Sequence, residues 1–155
     1  MNILLDDIDG ARLAQGAPEL EEVSSGISDI RIANLKAFFR THSSPLYDHA
    51  EFIVKTSDQY GLDYRIIPGI AMQESTLCQA IPPNSHNCWG WGIYGSTVTR
   101  FSSYDEAIEA VASGLKKNYI DRGLTTPSQI MAKYTGHPEN STWATGVNRV
   151  LQWLE

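Results

Sequence analysis

Residues 76–102 constrain this chain more than any other stretch, because they cannot form a helix. Adjacent prolines at 82 and 83 remove two backbone donors, and glycines at 90, 92 and 95 favour turns. The Thr97–Phe101 alternation suits one strand or a small hairpin at most. The sequence on either side follows a helical period. The expected fold is therefore mainly α, in the α+β sense of a helical bundle with a small irregular lobe or hairpin around residues 76–102.

The helical segments can be placed from their caps and apolar faces. From Asp29 onward Ile32, Leu35, Phe38 and Phe39 share one side. Ser44-Pro45 is read as the start of a second helix that buries Ala50, Ile53, Val54 and Ser57 and stops at Gly61. A third begins near Asp63 or Ile66, with Pro68 in its first turn. After the lobe, Ser103 and Glu106 are expected to satisfy each other's exposed amides as a capping box, ahead of Ala107, Ile108, Val111 and Leu115. Thr126-Pro127-Ser128-Gln129 repeats the device before a short helix ending near Tyr134. Ser141 opens the last helix, whose inner face carries Trp143, Val147, Val150, Leu151 and Leu154.

With 155 residues the chain suits one domain with a real core, burying roughly 68–70% of its unfolded surface. Residues 1–27 show no period and read as an acidic tail or arm, dispensable for activity, ahead of a domain spanning 28–155. The net charge of −6 lies in the first 30 residues, where seven carboxylates face Arg12 alone, and the rest of the chain holds eleven charges of each sign. With no basic run to track phosphates, nucleic acid is not an expected partner. No apolar stretch approaches the ~18 residues of a membrane span. A monomer is expected, with no metal and no cofactor.

Cys78 and Cys88, the only cysteines, sit ten apart in the irregular lobe. A disulfide there would close a short loop, and it argues for an extracytoplasmic protein whose targeting segment is missing from this sequence. Two free thiols in a reducing compartment are the alternative.

The chemistry concentrates around Glu74. Ile67, Ile70, Ala71 and Glu74 fall at i, i+3, i+4 and i+7, so a carboxylate continues an apolar stripe and should feel desolvation. Cleaving an acetal requires a carboxyl kept protonated near neutral pH, and such a setting supplies one. The plainer alternative is a glutamate that ends a helix and points to water. In Asn87-Cys88-Trp89-Gly90-Trp91-Gly92-Ile93-Tyr94-Gly95, three aromatic rings stand among glycines. They suit the flat faces of sugars if exposed, or form the core of a small lobe if not. Tyr134 divides in the same way between cleft and core. His86 and His137 read as surface polar groups, and Asn140-Ser141-Thr142 matches a glycosylation acceptor that doubles as a helix cap.

Four motifs in order carry a resemblance to a known group. IPGIAMQEST resembles the apolar helix that ends in Glu-Ser in glucosaminidase-type and transglycosylase-type peptidoglycan hydrolases. Asn87-Cys88-Trp89-Gly90 is similar to their Asn-x-aromatic-Gly turn, and Phe101-Ser102-Ser103-Tyr104-Asp105 to their Phe-x-x-Tyr-Asp. Tyr134-Thr135-Gly136-His137-Pro138 is similar to their Tyr-x-x-Asp-Pro. Together the motifs cover about residues 64–150.

The resemblance implies a lysozyme-like fold and an endo-acting glycosidase on the β-1,4-linked N-acetylhexosamines of bacterial peptidoglycan. Glu74 would be the catalytic acid and Tyr134 a cleft residue near the scissile sugar. Ser75, Asn87, Trp89, Trp91 and Tyr94 join Tyr134 as expected substrate-binding residues. His137 departs from the family's Asp, and Trp91-Gly92 with the cysteine pair marks a locally different cleft. No residue from Ser75 to Tyr104 is acidic, so the lobe supplies no evident second carboxylate. A lytic transglycosylase on the same substrate and a non-catalytic glycan-binding module are the competing expectations.

Overall fold

A computed structural model describes residues 30–134 and 142–155. The acidic tail, the domain boundary at 28, His137, Glu139, Asn140 and Ser141 lie outside the described residues.

The described chain is mainly helical. Helix α1 covers residues 30–41. Helices α2 (Ala50–Tyr60) and α3 (Ile66–Ser75) precede the lobe, and α4 (Tyr104–Asn118), α5 (Pro127–Tyr134) and α6 (Thr142–Trp153) follow it. Helix α3 is the axis of the core, with every residue from Ile66 to Ala71 buried. It packs on α6, while α2 packs on α4. The close approach of α3 to α6 depends on Gly69, where an added Cβ would lie 3.0 Å from Val147. Arg65 reaches the carbonyl of Leu151 and Tyr64 that of Leu154, while Glu74 meets Trp143. The start of α3 thus faces the end of α6, so the pair runs antiparallel and the last turn of α3 faces the first turn of α6.

Where the helices begin differs from the sequence reading in two places. Pro45–His49 is a 3-10 helix rather than the first turns of α2. The break falls at His49, whose backbone leaves the helical region (φ −109°, ψ 7°) and whose ring is bound by Asp105 at 2.7 Å across on α4. The second difference is the box before α4. Ser103 accepts from the Glu106 N–H at 3.1 Å, but the Glu106 carboxylate turns to the N–H and hydroxyl of Ser102 at 2.6 and 2.5 Å. Before α5 the reciprocal device forms as expected, with Gln129 N–H donating to Thr126 Oγ1 and Thr126 N–H to Gln129 Oε1. Gly61 ends α2 in the left-handed conformation at φ 66°.

Residues 76–102 form the irregular lobe, with no strand among the described residues. The expected strand at Thr97–Phe101 is replaced by one bridge, Tyr94 to Thr97, closed around Gly95-Ser96 with Gly95 at φ 58°. The reason is where the backbone groups go. Thr99 O accepts from the Asn87 side chain, and Phe101 N–H donates to Ser85 O, so these groups are engaged within the lobe rather than with a second strand. The lobe is fastened by a Cys78–Cys88 disulfide, so the free-thiol alternative falls. No helix among the described residues is long and apolar enough to cross a membrane.

Candidate active site

Glu74 occupies the last turn of α3, where the helix leaves the core. Ile67, Ile70 and Ala71 behind it are buried, while Glu74 itself is exposed, so it is less enclosed than its stripe predicts. The chain then leaves the helix through an unusual turn. Thr76, Leu77 and Cys78 all have positive φ (52°, 55° and 74°), a left-handed run with no glycine in it. Such residues cost about 1 kcal/mol or more each and persist only when their surroundings fix them. Here the restraints are several. Leu77 is fully buried and its carbonyl accepts from Ser44 Oγ at 3.0 Å. Cys78 N–H donates to Ser75 Oγ at 2.9 Å, and its side chain is tied to Cys88.

The Glu74 carboxylate has two neighbours. The indole N–H of Trp143, on the first turn of α6, donates to Oε1 at 2.5 Å. Oε2 lies over Gly90, close enough that an added Cβ would sit 3.2 Å from it, and Gly90 has φ 62°. A side chain there would crowd the acid and strain the backbone.

Beyond Gly90 opens a cleft of roughly 310 Å³, walled by Trp91, Gly92, Ile93 and Tyr94 on the lobe and by Asn118, Tyr119 and Tyr134 on the helices. Tyr134 links cleft to acid, with its ring stacked on Trp143 (centroids 5.7 Å apart, planes 24°) and 6.1 Å from Trp91. Its hydroxyl donates to Trp89 O at 3.0 Å. Burial, and secondarily the negative charge of Glu74, push the Tyr134 phenol well above the ordinary tyrosine range. Its proton is therefore retained, and only its oxygen lone pairs are open to a ligand.

The expected substrate-binding residues divide into two groups. Trp91, Tyr94 and Tyr134 wall the cleft, with Tyr94 the most open at 77% exposure. Ser75, Asn87 and Trp89 are buried and hold the wall in place, which corrects their expected contact with a glycan. Ser75 Oγ donates to Cys88 O at 2.7 Å. Asn87 is saturated, its amide donating to Trp91 O and Thr99 O while its oxygen accepts the Trp91 N–H. Trp89 sits in the core with its indole N–H on Ile67 O at 3.0 Å, so for this ring the lobe-core alternative is the one found. His86 bonds through its ring to Phe101 O and packs edge-on against Tyr104, away from the cleft.

Trp143 is the residue of the site that sequence reading did not mark: its helical period places it in the core, where its ring is buried, while its N–H reaches Glu74. Its one distinguishing signal was its place on the first turn of a helix that comes after a motif-bearing segment. Among the described residues no carboxylate walls the cleft. Asp63 is bound by Arg65, Asp105 by His49, Asp121 by Lys116, and Glu106 by Ser102. Among the described residues no three His, Cys, Asp or Glu are grouped to hold a metal ion. No family model matches the chain, and no curated protein matches it.

Proposed function

We propose that this protein is an endo-acting glycosidase of bacterial peptidoglycan, with Glu74 as general acid. The observation that carries the reading is one carboxyl group set against Gly90, itself part of the wall of an uncharged aromatic cleft, with one oxygen engaged by Trp143 and the other facing Gly90. Aromatic rings and glycine backbone suit the flat, neutral faces of N-acetylhexosamines. The similarity of its four motifs to those of glucosaminidase-type hydrolases supplies the substrate class. The disulfide is compatible with work outside the cytoplasm, in the cell wall or as a secreted monomer.

The chemistry then runs with one carboxyl. Glu74 gives its proton to the glycosidic oxygen as the bond to the anomeric carbon breaks, and the departing sugar leaves as an alcohol. With no second carboxylate among the described residues of the cleft wall, the acetamido oxygen of the substrate closes on the anomeric carbon. Water then opens that ring and yields a reducing end, its proton returning to Glu74. If the internal hydroxyl of a muramyl sugar attacks instead, the product is the anhydro sugar of a lytic transglycosylase. The lack of a carboxylate among the described residues of the cleft wall is the observation that keeps this second outcome open.

Mass spectrometry of sugar ends released from purified sacculi decides among the readings. Reducing N-acetylhexosamine ends are expected. Anhydro-muramyl ends would make the enzyme a transglycosylase, and binding without release would make it a glycan-binding module.

A further inference from the structure

Resting on the reading of Glu74 as proton donor, we propose that Trp143 is a positioning residue for that acid, fixing Oε1 so that Oε2 carries the transferable proton toward the cleft. A glutamate on the last, exposed turn of a helix has three side-chain torsions free to vary, and an acid must be held to protonate one oxygen efficiently. The indole N–H is a donor only, so Trp143 can engage Glu74 only through an acceptor lone pair. The carbonyl-type oxygen of a carboxyl group accepts better than its hydroxyl oxygen. A donor 2.5 Å from Oε1 therefore assigns the proton to Oε2, the oxygen that faces Gly90.

The indole is itself held by a closed circuit of contacts. Ile67 O on α3 accepts from Trp89 Nε1, and Trp89 O accepts from the Tyr134 hydroxyl. Tyr134 stacks on Trp143, and Trp143 donates back to α3 at Glu74, about two helical turns beyond Ile67. Trp143 is 8% exposed, so its ring belongs to the core while its one polar atom serves the site.

Two measurements on the full chain test this. In the first, the Trp143 indole N–H resonance, identified by its loss in Trp143→Phe, is compared between wild type and Glu74→Ala, a substitution at an exposed position. It moves upfield when the acceptor is removed, while the indole resonances of Trp89 and Trp153 stay in place. In the second, Trp143→Phe, which keeps a stacking ring and loses the donor, is assayed on a soluble β-1,4-N-acetylglucosamine oligomer. It lowers kcat on the order of 10- to 100-fold with KM unchanged. An indole resonance indifferent to Glu74→Ala overturns the proposal, as does a Trp143→Phe enzyme with wild-type kcat. A fully active Glu74→Gln with the resonance still responding overturns the reading of Glu74 as the acid and leaves Trp143 a packing residue.

Discussion

The Ser75 hydroxyl donates to the carbonyl of Cys88 at 2.7 Å, joining the residue after the acid to the residue before Trp89. The same oxygen accepts the Cys78 N–H, so one buried side chain fastens the end of α3, the left-handed turn and the lobe. Ser75→Ala leaves a buried donor and a buried acceptor unpaired, at a cost of about 1–3 kcal/mol. The melting temperature is expected to fall by about 3–10 °C, as read by calorimetry against wild type. An unchanged melting temperature would mean that the turn is held without it.

The disulfide acts on the same turn. The double variant Cys78→Ser/Cys88→Ser is expected to lose about 2–3 kcal/mol. The loss should be uneven, because Leu77 and Trp89 keep their core contacts while residues 76–78 and 90–94 lose a tether. Amide hydrogen exchange should therefore quicken first in those two segments. Uniform quickening through α2 and α4 would contradict this.

Gly114 lies inside α4, where glycine is disfavoured, because the Trp91 ring rests on it. An added Cβ would stand 2.1 Å from Trp91 Cζ2. Gly114→Ala should thus displace a cleft wall while improving helix propensity. Glycan affinity is expected to drop on the order of tenfold, with the helical circular dichroism spectrum retained.

Alkaline stability depends on the tyrosines. Tyr134, Tyr119 and Tyr104 are all raised, in each case chiefly by burial. A raised phenol holds its proton in the folded state after the unfolded chain has lost it. Their contribution is complete below the unfolded value of about 10 and is lost as pH rises above it toward the folded values. Melting temperatures measured from pH 8 to 11.5 should fall at the alkaline end, and less steeply in Tyr134→Phe.

The helices were legible because their signals are local: caps at Ser103 and Thr126, stops at Gly61, and apolar periods that burial reproduces at Ile67, Ile70 and Ala71. Glu74 stood out for the same reason, as a charge on an apolar stripe. The roles of the tryptophans were not legible. Trp89, flanked by glycine, reads equally as a sugar face or a lobe core, and a tertiary hydrogen bond to Ile67 O seats it in the core. Trp143 has a core period, yet its N–H belongs to the site. The left-handed run at Thr76, Leu77 and Cys78 carries no glycine to announce it, because its restraints come from the side chains of Ser44, Ser75 and Cys88.

Glu74→Gln keeps the size of the side chain and an acceptor for the Trp143 N–H, but it has no proton to give. Removing general acid assistance typically costs roughly 10²–10⁴-fold. The decisive measurement is the rate of glycan release from sacculi by Glu74→Gln, set beside Asp63→Asn, Asp105→Asn, Glu106→Gln, Asp121→Asn and Glu139→Gln, with folding and glycan binding checked for each. Glu74→Gln is expected to bind glycan and release none, while each of the others retains most of the wild-type rate. A second variant as inactive as Glu74→Gln would contradict the single-carboxyl mechanism, and an active Glu74→Gln would contradict the site itself.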